Sequence, residues 1–278
     1  MIAIVLDIVS SASILFIISS GLLIIFGVMK ILNFAHAGIV AVGGYVALTI
    51  TQLGWSPWLA APAALIVGFV LGGIIERGIM RWLYARSLDA ILAAWGLGMV
   101  LVQLITIAYG REIQFVETPL AGATTVLGES YSLYRLYLIL VAILIGVALT
   151  ALLKGTRLGL NTRAVIMNDA LAQALGINSA LVRFLSFSLG SALGAMSGAL
   201  ITPLSSVDPN MGFPWLVSAF MIVLLSGASL VSLAVSALVL GGAQVLVSTL
   251  VNPVAGGMTI AVLAAIILRI RPEGFAHE

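Results

Sequence analysis

Long apolar runs separated by short polar turns make up nearly the whole chain. A helix needs about 20 mostly apolar residues to cross the hydrocarbon core of a bilayer. By that rule the pattern predicts about nine membrane-spanning helices, with eight or ten as the neighbouring counts. We therefore expect an all-α polytopic membrane protein, folded as a single transmembrane domain over residues 1–278. The predicted spans are 8–29, 36–52, 58–80, 89–109, 133–153, 181–203, 214–228, 232–251 and 255–270.

The boundary between the seventh and eighth spans has two possible forms. The seventh span is short, and the eighth follows it almost without interruption. Residues 226–232 between them are rich in serine and other small residues. They predict either a tight turn between two helices or a break inside one helix.

One polar stretch, residues 154–183, stands out from the apolar pattern. Its centre predicts a short helix that begins after the capping residues Asn161 and Thr162. Gly176 and Asn178 predict a left-handed stop at the other end. A narrow apolar stripe recurs at helical spacing through Ala164, Met167, Leu171, Ala174 and Leu175. The other faces carry Arg163, Asp169 and Gln173.

An amphipathic helix between two spans either lies in the lipid interface or docks in a groove of a soluble partner. The predicted helix carries little of the positive charge that favours binding to a lipid surface. The pattern therefore favours docking. We expect this coupling segment, residues 154–183, to contact a partner through Arg163, Met167, Asp169, Leu171, Leu175 and Gly176.

Composition supports the membrane assignment and narrows the function. Only 8% of residues are charged, 62% are hydrophobic and the mean hydropathy is +1.24, whereas about a quarter of a soluble domain is charged. No soluble domain fits, so an energy source or receptor has to come from other chains. Twelve Lys and Arg nearly balance ten Asp and Glu, so the charge gives no indication of nucleic-acid binding. The absence of cysteine excludes disulfides and thiolate metal sites.

The placement of charges predicts the orientation. Basic residues concentrate on the cytoplasmic side of membrane proteins. With the N-terminus outside, only Arg111 and Arg135 among the assigned basic residues fall outside. The residues that fall inside are Lys30, Arg77, Arg81, Arg86, Lys154, Arg157, Arg163, Arg183, Arg269 and Arg271. We therefore expect the coupling segment and the C-terminus to be cytoplasmic.

Two connections fall outside in this orientation. Residues 110–132 are acidic and contain glycine, threonine and proline, which predicts irregular structure. Residues 205–211 (SSVDPNM) give a strong turn signal.

Few residues have the chemistry of a catalytic site. The sequence has no GxxxxGK[ST] phosphate-binding loop and no metal-ligand cluster. His36 and His277 lie at opposite ends of the chain, and no nucleophile–base arrangement is visible. We therefore expect no enzyme activity, cofactor or metal in this chain.

The predicted spans are nearly free of charge. Glu76 and Arg77, near the cytoplasmic end of one span, are expected to pair and to reach towards the interface. Ion-coupled transporters usually keep ionisable groups at mid-depth, so the pattern disfavours secondary transport. Gly190, Gly194 and Gly198 recur every fourth residue and predict a face for close helix packing.

The connection between the first two spans has an unusual polar content. Asn33 and His36 lie where one span meets the next, and the pair Gly43–Gly44 and Tyr45 follow. Non-helical backbone at membrane depth survives only when it is buried in protein or lines a cavity. The pattern alone leaves two interpretations open, an ordinary cytoplasmic turn or part of a solute path.

Three motifs resemble one known family. Residues 33–36 (NFAH) and 43–45 (GGY) closely resemble the NFAHG…GxY signature of the permeases of branched-chain amino acid ABC importers. Residues 169–178 (DALAQALGIN) look like the cytoplasmic coupling segment of that family. Residues 208–212 (DPNMG) are similar to its x-P-x-x-G loop. The order and spacing of all three agree, and together they span most of the chain.

The resemblance implies a transmembrane permease subunit in a bacterial inner membrane, surrounded by lipid. It implies a second, related permease, two cytoplasmic ATPase subunits that hold ATP and Mg²⁺, and a periplasmic substrate-binding protein. The coupling segment would dock on an ATPase. The expected substrate path contains Asn33, His36, Gly43, Gly44, Tyr45 and Trp95.

Two segments depart from the family pattern. The family's glycine-rich run after the seventh span is largely missing from residues 226–236. Residues 88–96 (LDAILAAWG) look more like the urea and short-chain amide branch of the same family. The expected substrate is therefore a small amino acid, with branched-chain amino acids leading, and urea or an amide as the alternative. A passive channel for a small neutral solute is a further alternative, which would need neither an ATPase nor a docking helix.

Overall fold

The computed structural model describes residues 2–126, 128–271 and 274–275. Helices dominate the described residues, with one hairpin of two short strands. The helices are α1 Ile2–Met29, α2 Ala35–Gln52, α3 Ala60–Gly78, α4 Ser87–Tyr109, α5 Leu133–Gly155, α6 Arg157–Met167, α7 Asp169–Ala174, α8 Ser179–Ile201, α9 Gly212–Ser226, α10 Leu230–Leu250 and α11 Pro253–Ile270. The strands are β1 Ala123–Val126 and β2 Glu129–Ser132, and 3₁₀ turns lie at Pro57–Leu59, Met80–Trp82 and Thr202–Leu204.

The predicted fold class is confirmed. Within the described residues, eight helices are long and apolar enough to cross a membrane, and the shorter apolar α9 has 15 residues. The first span begins at Ile2 rather than at residue 8 as predicted. Asp7 is tolerated inside α1 because its carboxylate pairs with Arg135 at 2.6 Å.

The boundary at residues 226–232 is a turn between two helices. Gly227 has a φ of +60°, a conformation in which a side chain is disfavoured. Ser229 then caps α10, accepting a hydrogen bond from the backbone N–H of Ser232 at 3.4 Å. Gly227 therefore ends α9, and the side chain of Ser229 caps the start of α10.

Three central helices, α1, α2 and α8, are mostly buried, and the other spans surround them. The glycine face predicted on α8 is confirmed as the packing surface. A side chain at Gly190 would collide with Gly21 of α1, and one at Gly198 with the backbone of Val40 on α2. On the opposite side, Gly72 of α3 lies against Ser191 of α8. Small residues therefore let four helix backbones approach one another closely.

The outer loops are more ordered than predicted. Residues 110–132 were expected to be irregular, but they contain the antiparallel hairpin of β1 and β2. The N–H and C=O groups of Gln114 and Val207 exchange hydrogen bonds of 2.9 and 2.8 Å, which joins this loop to residues 205–211. The turn predicted in 205–211 is confirmed, since Asp208 Oδ1 accepts from Asn210 N at 2.8 Å.

The opposite end of the bundle carries the coupling segment, the α9–α10 turn and the last described residues. Phe275 N donates to Leu225 O at 2.7 Å, and Ser232 Oγ donates to Phe275 O at 3.0 Å. A cavity of about 240 Å³ lies between Lys154 and Arg163 on one side and Ser229 on the other. The segments that the charge pattern assigned to one side of the membrane therefore lie at one end of the molecule.

The predicted pairing of Glu76 with Arg77 is wrong. Glu76 is buried and accepts a hydrogen bond from Tyr84 Oη at 2.9 Å. The guanidinium of Arg77 instead lies over the ring of Phe184, 4.3 Å from its centroid. Adjacent helical residues point in directions about 100° apart, so they do not face each other.

Candidate translocation path and coupling surface

The helix α2 begins deep inside the bundle. His36 Nε2 lies 3.4 Å from the backbone oxygen of Ile18 in α1. Ile18 lies eleven residues before Met29, the end of α1, which is about 16 Å along the helix axis. The connection between α1 and α2 therefore folds back into the protein, and Asn33 within it is only 1% exposed. This is buried non-helical backbone, not a solvated turn.

The polar side chains of Asn33 and His36 are enclosed by protein. Asn33 Oδ1 accepts from Ala35 N at 3.2 Å, whereas its Nδ2 has no partner among the described residues. The ring of His36 fills the space in front of Gly21 and Gly194. Its Nδ1 also has no partner in the described part of the chain. Two buried hydrogen-bonding atoms of the NFAH motif thus have no partner among the described residues.

Gly43 and Gly44 are positions of close approach. A side chain at Gly43 would overlap the backbone of Ala195 in α8, and one at Gly44 would lie 2.7 Å from Met211 Sδ. Tyr45, the next residue, is buried with its ring 4.8 Å from that of Tyr109. In the single chain these three residues pack α2 against the neighbouring helices.

Trp95 lies in an aromatic cluster that joins α4 to the start of α2. Its ring centroid is 5.4 Å from that of Phe34 and 6.1 Å from that of Phe213, and Phe34 is 5.1 Å from Phe220. Trp95 remains 47% exposed. The three phenylalanines were not among the predicted path residues, although Phe34 belongs to the NFAH motif. The cluster forms an aromatic surface, and its member Phe34 directly follows Asn33 in the sequence.

The coupling segment contains two helices where one was predicted. Asn168 (φ −159°, ψ 104°) separates α6 from α7, and its side chain accepts from Leu171 N at 3.0 Å. Asn161 and Thr162 are not caps, because they lie inside α6, which begins after Thr156. An asparagine N-cap in mid-segment restarts the helix in a new direction.

The end of the segment is partly as predicted. Gly176 has a φ of +84°, which confirms the left-handed stop. Asn178 does not belong to that stop. Its side chain accepts from Leu181 N at 3.0 Å and caps the next helix, α8.

One side of α6 and α7 holds the segment to the bundle. Val165 of α6 and Ala172 of α7 are buried in a small cluster with Val28 of α1 and Val182 of α8. Arg163 donates to Leu153 O at 3.1 Å and ties α6 to the end of α5. The segment is therefore attached to three of the long helices.

The other side is apolar and uncovered. Met167 is 86% exposed, Leu171 57% and Leu175 74%. We call these three residues the coupling surface. Three large apolar side chains this exposed on one short segment are typical of a contact site.

Asp169 faces the bundle rather than the coupling surface. Its Oδ2 accepts from Arg183 at 2.7 Å and from Gln173 at 3.2 Å. The neighbouring Ser179 hydroxyl, followed by Gln173 and Arg183, holds the pKa of Asp169 below its usual value. The contact between Ser179 and Asp169 is longer or less well aligned than a standard hydrogen bond. Neither Ser179 Oγ nor Asp169 Oδ1 has a hydrogen-bond partner among the described residues. Asp169 thus links α7 to α8.

Comparison with known proteins identifies the family. The family model described as branched-chain amino acid transport system, permease component, matches residues 4–269. The permease LivH of Salmonella typhimurium, named for high-affinity branched-chain amino acid transport, is 27% identical and is matched over 92% of this chain and 89% of its own length. The permease BraD of Pseudomonas aeruginosa, also named for high-affinity branched-chain amino acid transport, is 28% identical and is matched over 88% of this chain and 87% of its own length.

Two further likenesses are more distant. The ribose import permease RbsC of Haemophilus influenzae is 26% identical over 81% of this chain and 69% of its own length. A solved structure, PsaBC from Streptococcus pneumoniae in complex with Fab, has a TM-score of 0.52 at 16% identity, covering 96% of this chain and 91% of that one. The last likeness concerns the fold alone. Because the family model spans nearly the whole chain, this multi-pass membrane protein belongs to the family of branched-chain amino acid transport permease components.

Proposed function

We propose that this chain is the translocating subunit of an ATP-driven importer in the bacterial inner membrane. Its proposed substrates are small amino acids, with branched-chain amino acids as the leading class. A periplasmic binding protein delivers the substrate, a second related permease completes the path, and two cytoplasmic subunits hydrolyse ATP. The chain itself carries out no catalysis and uses no cofactor of its own.

The observation that carries the proposal is the coupling surface. Met167, Leu171 and Leu175 are exposed at the end of the molecule that holds the basic residues of the coupling segment. The helix α7 has the sequence DALAQA and contains no cation, so a lipid interface gains little from it. A groove on a soluble partner buries the same side chains at a gain of roughly 25 cal/mol per Å² of apolar surface.

The attachment of the segment supports a mechanical role. The α7 helix is joined to α8 by Asp169 and Arg183. The helix α8 packs on α1 and α2 through its own glycines and on α3 through Gly68 and Gly72 of α3. A displacement of the coupling segment by an ATPase is thereby passed to the central helices. Alternating access then arises as these helices rock about the buried start of α2.

The proposed path uses neutral groups. Asn33 and His36 supply hydrogen bonds without a fixed charge, and Trp95 with Phe34 supplies an apolar aromatic surface. An amino acid with an aliphatic side chain matches this combination. A fixed charge in the path would hold a zwitterion too tightly or demand a counter-ion.

Substrate class and energy source are tested by reconstitution. The complex in proteoliposomes, with ATP inside and binding protein outside, is expected to accumulate labelled leucine only when ATP is present. Accumulation of urea or acetamide but not leucine would favour the alternative suggested by residues 88–96. Equilibration without ATP or ATPase subunits would contradict the importer and favour a passive channel.

A further inference from the structure

We propose that two arginines, Arg77 and Arg81, beside a cavity at the end of α3 bind the phosphodiester headgroup of an anionic phospholipid. The cavity has a volume of about 510 Å³ and lies between the turn that follows α3 and the start of α8. Its walls include Arg77, Arg81 and Arg183, and we call it the arginine cavity. Guanidinium groups bind phosphate oxygens through paired hydrogen bonds, which is why arginine recurs at phosphate sites.

The charges around the arginine cavity leave two cations available. Of the carboxylates near it, Asp169 is paired with Arg183 at 2.7 Å. Glu76 also lines the cavity, is buried and accepts a hydrogen bond from Tyr84; it attracts Arg77 and Arg81 but lies beyond ion-pair distance of both. Arg77 and Arg81 have no ion-pair partner within residues 2–126, 128–271 and 274–275. Their guanidiniums lie over the rings of Phe184 at 4.3 Å and Trp82 at 4.4 Å, which holds them in place without neutralising them.

An apolar stripe leads from the membrane interior to these arginines. Ile66, Val70 and Ile74 are exposed on α3 at four-residue spacing, so they share one face. Arg77 follows Ile74 by three residues, and Arg81 follows Arg77 by four. The stripe therefore leads along α3 to Arg77, and Arg81 lies in the 3₁₀ turn that follows the helix, so a surface for acyl chains lies next to a site for the headgroup. The exposed Trp82 beside them is typical of the level of the membrane interface.

A second membrane protein fits this face less well than lipid. Helices associate in membranes through small residues that let backbones approach. The small residues of α3, Gly68 and Gly72, are turned towards α8, whereas the outward stripe carries only large side chains. Assignment to the cytoplasmic leaflet rests on the proposed orientation, but lipid binding itself does not.

The test measures lipid retention by the purified complex using native mass spectrometry. Wild-type protein is expected to retain phosphatidylglycerol in preference to phosphatidylcholine. The R77Q/R81Q variant is expected to lose about fivefold in that preference for each arginine removed. The matched control is R269Q, which removes an exposed cation at the end of α11 that does not line the arginine cavity, and it is expected to keep the preference.

Three kinds of result would overturn the proposal. The first is the absence of the expected difference, either as equal retention of the two lipids by wild type or as an unchanged preference in R77Q/R81Q. The second is binding of inorganic phosphate with no preference among lipids, which would indicate a site for free anions. The third is a preference that appears only after the ATPase subunits are removed, which would assign the cavity to that partner. Because the readout is lipid binding, failure of substrate uptake does not affect it.

Discussion

The guanidinium of Arg183 in α8 donates to the carboxylate of Asp169 in α7 at 2.7 Å. Arg183 also lies over the ring of Tyr84, 5.0 Å from its centroid, and Tyr84 donates to Glu76 of α3. A continuous set of polar contacts therefore runs from the coupling segment through α8 to the end of α3. Burial and the neighbouring Glu76 raise the pKa of Tyr84 above its usual value, so Tyr84 remains a hydrogen-bond donor at neutral pH.

The Asp169 contact predicts a particular dependence of stability on pH. Its pKa is lower in the folded protein than the ordinary value of 3.8, so the ionised form is the one that the fold stabilises. The contribution is fully present above that ordinary value and is lost as the pH falls through the lower folded pKa. Because the carboxylate is partly exposed, we expect roughly 1 kcal/mol or less.

Thermal unfolding of wild type and Asp169→Asn between neutral and acidic pH measures this effect. The difference in unfolding temperature between wild type and Asp169→Asn is expected to stay constant down to about pH 4 and to disappear below it. Asp89→Asn is the control, since Asp89 forms an exposed pair with Arg86 at 3.7 Å and should show almost no gap. A gap that widens in acid would contradict the assignment.

The central packing predicts opposite effects for two glycine substitutions. Gly198→Ala places a methyl group against the backbone of Val40, so we expect a loss of about 1–3 kcal/mol in the free energy of unfolding. Gly257→Ala, in an open position on α11, is expected to be neutral or stabilising by up to about 1 kcal/mol. Unfolding midpoints of the purified proteins compare the two. Equal midpoints would mean that α8 and α2 are not in close contact.

Asn33 is the sharper probe of the proposed path. Asn33→Ala removes the unpartnered Nδ2, so we expect slower uptake at saturating binding protein with assembly and basal ATP hydrolysis kept. Thr51→Ala in α2 is the control, because among the described residues the Thr51 hydroxyl donates to Ala47 O of its own helix and to no other group. Normal uptake by Asn33→Ala would remove it from the path.

His36 is expected to behave differently from Asn33. Its ring fills the space between Gly21 and Gly194, so His36→Ala leaves a cavity as well as removing a hydrogen bond. We expect a loss of about 2 kcal/mol or more in the free energy of unfolding, together with slower uptake. Unchanged thermal stability would show that the ring does not occupy this space.

The proposed orientation is open to direct labelling because the chain has no cysteine. Ser130→Cys in β2 and Lys154→Cys near the end of α5 lie at opposite ends of one spanning helix, and both positions are exposed. A membrane-impermeant maleimide added to intact cells grown with a permeable outer membrane is expected to label the first and not the second. Labelling of Lys154→Cys alone would show that the orientation is the reverse of the proposed one.

Local signals in the sequence account for most of the fold. Hydrophobic runs, the glycines of α8 and the left-handed Gly176 act over one or two turns, so the spans and the packing face were predictable. Asn168 also carried a usable signal, as asparagine is a favoured N-cap. The apolar stripe nevertheless predicted one continuous helix, because Met167 and Leu171, on either side of the break at Asn168, keep the four-residue spacing of a helix.

Features that depend on distant contacts were not predictable. The depth at which α2 starts is set by the contact between His36 and Ile18, and the sequence pattern contains no measure of depth. The hairpin of β1 and β2 is short and polar, and Tyr131 stabilises it by donating to Asp7 at 3.1 Å, from the other end of the chain. Burial raises the pKa of Tyr131, which keeps that donor protonated.

The most direct test of the coupling surface is Leu171→Arg in the complete complex. An unpaired charge buried at an interface costs several kcal/mol, so the variant should release the ATPase subunits or lose stimulation of ATP hydrolysis by the loaded binding protein. Ala170→Arg adds the same charge to another exposed position of α7, outside the coupling surface, and should keep both. We predict loss in the first variant and retention in the second; normal stimulated hydrolysis with Leu171→Arg, or equal loss in both, would contradict docking through this surface.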